Sequence, residues 1–270
     1  MSQAVLYELT NVAYQYNDGK SALQDINLTV QAQERLILLG PNGCGKSTLQ
    51  KLLAGLLFTN SGSFTAFGAN INSKTMSDKQ FSTAFRQKVG FVFQNSDVQL
   101  FCTSVVDEIM FGPLAMGLSH SEAAARAADL LAYMDISALS NCSPHHLSGG
   151  EKKKVAIAAI LAVNPEVLIF DEPTNGLDPI SQRWIIDTIN HLNQQGKTII
   201  LATHSLDLVM ELADRVVVLG EDHRIIASDQ PTAILKNREL LLAANLIDPR
   251  YHLHLHEDNG QVHVHIHKND

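Results

Sequence analysis

Residues 36–47 read Leu36-Ile37-Leu38-Leu39-Gly40-Pro41-Asn42-Gly43-Cys44-Gly45-Lys46-Ser47. A short apolar run meets three glycines and then a lysine and a serine. Gly40 and Gly45, with Lys46 and Ser47 directly after, fit the Gly-x-x-x-x-Gly-Lys-Ser/Thr spacing of a phosphate-binding loop. The loop lies where that chemistry needs it, between a buried strand expected at 36–39 and a helix expected over 46–57. Glycines let successive backbone N–H groups turn inward around phosphate oxygens, and the helix start adds its positive dipole end. Lys46 adds a point charge and Ser47 offers a hydroxyl to Mg²⁺. Gly40, Pro41, Asn42, Gly43, Cys44, Gly45, Lys46, Ser47 and Thr48 are thus the candidate phosphate contacts.

Around this loop, apolar stretches at 5–7, 26–30, 63–67 and 89–93 alternate with Gly and Asn turns. Several of them suggest a small antiparallel sheet. Between 103 and 134 the pattern turns helical, and Ser119-His-Ser-Glu122 is a capping box opening an Ala-rich helix. After Ser148, helices to about 163, at 179–195 and up to 213 alternate with strands at 167–170, 198–202 and 216–219. That alternation predicts βαβ units and a parallel sheet covered on both faces. From about Lys236 the composition becomes polar and His-rich, which marks a C-terminal appendage.

The strand at 167–170 ends in two adjacent carboxylates, Asp171 and Glu172. Ligands of open α/β sheets bind beyond the carboxyl ends of strands, where this pair would emerge. Asp171 can hold Mg²⁺ directly or through water, and Glu172 is placed to polarise an attacking water. The run Lys152 to Lys154 starts a helix in an acidic protein, so a solvated or nucleotide-facing surface is expected rather than a nucleic-acid patch.

Leu147-Ser148-Gly149-Gly150-Glu151, ending 20 residues before Asp171, resembles the signature motif of the ATP-binding cassette ATPases. Other motifs of that family follow in order. Gln94 looks like the Q-loop glutamine, Asn175-Gly-Leu-Asp178 resembles the D-loop, and His204 looks like the switch histidine. Tyr16 sits where the family places an aromatic that stacks on adenine, with Tyr14 on the same strand face as the alternative. The resemblance runs from about Val5 to Leu235 and implies an α/β fold: a P-loop cassette core with an antiparallel β subdomain and a helical insert at about 96–150. Residues 236–270 form the His-rich extension. It further implies ATP as ligand, with Mg²⁺ held by Ser47, Gln94 and Asp171, Glu172 as base and His204 on the γ-phosphate. Such cassettes close head to tail, so Ser148, Gly149, Gly150 and Asp178 of one chain would face the ATP on Lys46 of another. One P-loop and one signature imply a dimer, of identical or of different chains.

The stretch from Phe93 to Phe101, followed by Val106-Asp-Glu-Ile-Met-Phe-Gly-Pro113, looks like the ATPases of energy-coupling-factor importers, closest to the nickel and cobalt branch. In that group this region receives helices of a transmembrane scaffold protein, and a separate membrane protein captures substrate. Val98, Leu100, Phe101, Val105, Ile109 and Phe111 would supply an apolar face beside Gln94, though some must serve as subdomain core. A vitamin importer of the same group and a soluble cassette ATPase of repair or translation are the competing readings. The soluble kind usually carries paired cassettes or a long coiled-coil insertion, and neither is visible.

Six of the 12 histidines fall in the last 19 residues, where Tyr251-His-Leu-His-Leu-His-Glu-Asp-Asn-Gly-Gln-Val-His-Val-His-Ile-His-Lys268 alternates at period two about Asn259-Gly260. Asn-Gly suits a two-residue type I′ turn, which puts Asp258 opposite Gln261. His256 then faces His263, His254 faces His265 and His252 faces His267, all on one face of a β-hairpin. Six neighbouring imidazoles suit Ni²⁺, Co²⁺, Cu²⁺ or Zn²⁺. Without metal that face is neutral near pH 7.5 and self-repelling below about pH 6. An expression tag would be a contiguous His run, and this one alternates with Leu, Val and Ile.

Composition narrows the class further. The chain has 270 residues, 45% apolar, with 28 acidic against 20 basic residues and a formal charge of −8. Such a surface does not suit bulk nucleic acid. The longest apolar run, at 155–163, is nine residues, against roughly 20 for a bilayer span. The first sixteen residues show no basic patch followed by an apolar stretch, so no secretory signal is expected. Three cysteines are too few and too scattered for a disulfide framework and read as reduced. The expectation is a peripheral ATPase on the cytoplasmic face of a membrane.

Overall fold

In the computed structural model of the chain, the described residues are 4–248, together with the backbone of 251–258 and 261–268. The chain forms two compact units, residues 1–77 with 189–270, and residues 78–188.

The first unit opens with β1 (Val5–Gln15), β2 (Ser21–Gln31), β3 (Arg35–Leu39), α1 (Lys46–Leu53), β4 (Ser61–Ala66), β5 (Ala69–Asn70) and the short α2 (Ser73–Ser77). Strands β2-β1-β4-β5 make the expected antiparallel sheet. β1 and β2 run longer than the apolar pattern suggests. Bulges shift their register, and Asn11 and Asp25 adopt positive φ of 50° and 51°, so the alternation of inward side chains is interrupted without ending the strand. α1 stops at Leu53, short of the 57 expected, because Gly55 at φ 67° terminates the turn.

The second unit holds α3 (Lys79–Lys88), β6 (Val89–Val92), α4 (Val105–Ala115), α5 (His120–Tyr133), α6 (Gly149–Leu161), β7 (Val167–Asp171) and most of α7 (Pro179–Gln194). β6 and β7 pair in parallel, with Val92 opposite Phe170. α5 starts with the capping box read from the sequence, Ser119 and Glu122 bonding reciprocally. α3 carries Phe81, Ala84 and Phe85 at helical spacing, and its N-cap, Asp78, accepts from Phe81 N at 2.7 Å.

The chain returns to the first unit for β8 (Thr198–Thr203), α8 (Leu206–Leu212), β9 (Arg215–Leu219), β10 (Ile225–Asp229), α9 (Pro231–Lys236) and α10 (Arg238–Ala243). β3 lies parallel between β8 and β9, and β10 joins antiparallel at the edge. Leu36 to Leu39, Ile199 to Ala202 and Val216 to Leu219 are buried throughout, as a parallel sheet requires. Arg215 ties the layers together by pairing with Glu34 at 2.6 Å and donating to Thr29 O at 2.6 Å. Helical structure continues beyond 235, and Leu241 on α10 is fully buried. The extension closes on β11 (Tyr251–Asp258) and β12 (Gln261–Lys268), antiparallel in the register expected from the sequence. The Asn259-Gly260 turn and the histidine side chains lie outside the described part.

Candidate nucleotide site

Loop 40–45 leaves β3 and enters α1 at Lys46. Gly45 is the N-cap at φ 111°, and a Cβ there would run into the carbonyl oxygen of Ala22. A Cβ on Gly40 would lie 2.6 Å from the carbonyl oxygen of Leu219 and 2.7 Å from Cys44 Sγ. Only glycine fits either position, so backbone N–H groups can approach a ligand closely. Gly45 offers no capping side chain and the first turn of α1 has no acidic residue, which leaves the positive helix end uncompensated by charge. Lys46 is 6% exposed and donates through Nζ to the carbonyls of Gly40 at 2.6 Å and Pro41 at 3.0 Å, so its ammonium is held at the loop. Burial pushes the Cys44 thiol up, which keeps it protonated. His223, from the turn after β9, places Nδ1 3.2 Å from the carbonyl oxygen of Cys44 and braces the loop from behind.

Tyr16 follows β1 directly. Its Oη lies 3.0 Å from Thr48 Oγ1 in α1, and its ring stands edge-on to Tyr14 with centroids 5.0 Å apart. His204 follows β8 and is exposed. The β3–β8 register sets Leu39 opposite Thr203, so the phosphate loop and His204 leave neighbouring parallel strands at the same end. Thr203 Oγ1 accepts from Ser205 N at 3.0 Å and fixes the turn carrying His204.

The second unit gathers the other candidates the same way. Val92 pairs with Phe170, so Gln94 and the Asp171-Glu172 pair emerge together from β6 and β7. Both carboxylates are buried, and Glu172 takes φ 42°, which turns the chain sharply at the strand end. Ser148 caps α6 in a second capping box: its Oγ and N donate to Glu151 Oε2 at 2.7 and 2.8 Å. Those bonds hold the Glu151 carboxyl below the usual range. A Cβ on Gly150 would come within 2.5 Å of Ser181 Oγ. Asp178 accepts from Ile180 N and Ser181 N at 3.0 Å and from Ser181 Oγ at 2.6 Å, so it caps α7, and the Ser181 bonds lower its carboxyl.

The Lys152 to Lys154 run differs from expectation. Each lysine has a protein partner. Lys152 pairs with Asp97 at 2.6 Å and Lys154 stands 4.9 Å over the Trp184 ring. Lys153 is 3% exposed and donates to the carbonyls of Phe93 and Gln94, both at 2.9 Å. Gln99 adds a third tie, accepting from Phe93 N at 3.1 Å and donating to Ala156 O at 3.1 Å. The Gln94 loop is therefore clamped to α6, the helix that Ser148 caps. Helical spacing alone does not show Lys153 as part of the site, because the neighbouring lysines disguise it as one of a solvated run.

The apolar set at 98–111 divides. Leu100, Val105 and Ile109 are core, whereas Val98, Phe101 and Phe111 are 71%, 63% and 50% exposed. Phe101 and Phe111 stack edge-on at 4.9 Å, and buried Glu108 accepts from the backbone N–H groups of Phe101 and Cys102 at 2.9 and 2.7 Å. The exposed pair is thus fixed in place rather than loose.

A phosphate loop between a buried parallel strand and a helix, with a carboxylate pair at the end of another parallel strand, defines a P-loop α/β ATPase. The chain belongs to the ATP-binding cassette ATPases of ABC transporters: the ABC transporter family pattern matches residues 23–175, more than half of it. It is 43% identical to the nickel import ATP-binding protein NikO of Rhodobacter capsulatus, over 89% of this chain and 95% of that one. It is 41% identical to the energy-coupling factor transporter ATP-binding protein EcfA of Methanothermobacter thermautotrophicus, over 91% of this chain and 77% of that one. Among solved structures, cbiO1 of Clostridium perfringens, part of the ABC transporter complex cbiONQ, matches with a TM-score of 0.77 and 35% identity over 92% of this chain and 97% of that one. No helix among the described residues is long and apolar enough to cross a membrane.

Proposed function

We propose that the chain is the ATP-hydrolysing subunit of a nickel or cobalt importer of the energy-coupling-factor type, seated peripherally on the cytoplasmic face of a membrane. Two cassettes would close head to tail, with Ser148, Gly149, Gly150 and Asp178 of one facing the nucleotide on Lys46 of the other. The glycine-only positions at 40 and 45 and the lysine held at the loop suit a triphosphate. Tyr16 stacks on the adenine, and the N–H groups of 42–48 hold the phosphates. Ser47, Gln94 and Asp171 would hold Mg²⁺, which when bound would draw charge from the phosphates. Glu172 accepts the proton of the attacking water and His204 hydrogen-bonds the γ-phosphate.

The observation that carries the importer reading is the exposed Val98, Phe101 and Phe111, in the same unit as the clamped Gln94 loop. Large apolar side chains fixed at a surface mark a protein contact, and here they would receive helices of the transmembrane scaffold, so that contact and nucleotide sensing share one loop. The similarity to a nickel import ATP-binding protein supports nickel or cobalt as the cargo class. Co-purification from detergent-solubilised membranes tests this. The wild-type chain is expected to bring hydrophobic scaffold and substrate-capture proteins with it and to support ATP-dependent uptake of Ni²⁺ or Co²⁺. The double variant F101S/F111S is expected to lose both. Recovery of the same partners by that variant would contradict the assignment.

A further inference from the structure

Neither the nucleotide site nor the exposed apolar face uses the six C-terminal histidines. The backbone register of β11 and β12 runs unbroken from Tyr251 opposite Lys268 to Asp258 opposite Gln261. It sets His252 opposite His267, His254 opposite His265 and His256 opposite His263. Strand residues two apart share a face, so all three pairs belong to one face of the hairpin, and Leu253, Leu255, Val264 and Ile266 belong to the other. Directly opposed residues have Cβ atoms about 4.5–5.5 Å apart, and successive pairs follow at about 6.7 Å along the strands. Histidine pairs at such register positions are a donor set of the kind transition cations take, with nitrogen ligands at about 2.0–2.1 Å. β12 lies against α8, so this face is carried on the nucleotide-binding unit. Among the described residues no group of three or more His, Cys, Asp or Glu could hold a metal.

We infer that the β11–β12 hairpin is a binding site for a divalent transition cation, assembled from cross-strand histidine pairs. The ligand class follows from the donors: an all-imidazole set suits Ni²⁺, Co²⁺, Cu²⁺ and Zn²⁺ and discriminates against Mg²⁺, which prefers oxygen. The site is separate in donors and in cation from the Mg²⁺ ligands at the phosphate loop. It deepens the nickel and cobalt reading by placing a site for that class of cargo on the ATPase itself, and it rests on that reading only for the identity of the physiological metal.

Competition titration of the full-length chain with Ni²⁺ against a chromophoric chelator, without nucleotide or Mg²⁺, tests the site. The wild type is expected to bind at least one Ni²⁺ per chain. H254Q/H265Q, which removes one cross-strand pair, is expected to bind at least tenfold more weakly, while H145Q/H146Q, which removes two histidines elsewhere, keeps wild-type affinity. Retention of wild-type ATP hydrolysis by H254Q/H265Q shows that the cassette is folded. Equal affinity in the wild type and H254Q/H265Q, or an equal loss in H145Q/H146Q, would overturn the assignment. The titration needs no membrane partner, so failure of uptake in the transport assay and failure of binding here are distinct results.

Discussion

A lysine ammonium buried beside a loop must find partners that offset its lost hydration. Lys153 finds two, the carbonyls of Phe93 and Gln94, and its field is shared with Asp171. Burial pushes its pKa down to about 8, against an opposing pull from Asp171. Below that pH the ammonium is charged and holds both carbonyls strongly, and as the pH rises through it the charge is lost and the loop loosens. ATP hydrolysis by the wild type is therefore expected to decline above about pH 8. Lys153→Arg, whose guanidinium stays charged, is expected to carry the plateau to higher pH. Lys153→Met keeps the apolar stem but not the donors, and is expected to lower kcat on the order of tenfold with little change in ATP affinity. Steady-state rates across pH check this, and a wild-type profile with no basic decline, or unchanged kcat in Lys153→Met, would count against the clamp.

Two helices of the second unit carry the same device, a capping box: Ser119 with Glu122 on α5 and Ser148 with Glu151 on α6. Loss of either serine hydroxyl is expected to cost about 1 kcal/mol of stability, read as similar shifts in denaturant midpoint for Ser119→Ala and Ser148→Ala. Only Ser148→Ala is expected to impair hydrolysis, because only that serine would face nucleotide on a second chain. Equal activity of the two variants would reduce Ser148 to a cap. Such motifs were legible because their donors are local: a Ser three residues before a Glu, or Gly40, Gly45 and Lys46 around one turn, announce their geometry in sequence. What was hidden depends on contacts distant in the chain. Lys153 meets carbonyls some 60 residues away, and the bulges in β1 and β2 break an alternation that continues in space. The division of 98–111 into core and exposed residues likewise needed α4 to be placed, since both sets are equally apolar.

The whole molecule carries one phosphate loop and one signature, on separate compact units. On the proposed function, such a chain is one half of a head-to-tail pair, and ATP held between the two halves would be the adhesive that hydrolysis removes. In that reading the energy of closure would be available to the proposed scaffold contact, and the dimer would be the working form. The most direct measurement is sedimentation of the Glu172→Gln variant with and without Mg-ATP, together with phosphate release. The expected result is one chain without nucleotide, twice that mass with Mg-ATP, and phosphate release nearly abolished relative to wild type. A variant that stays a single chain in Mg-ATP, or that releases phosphate at the wild-type rate, would contradict the account.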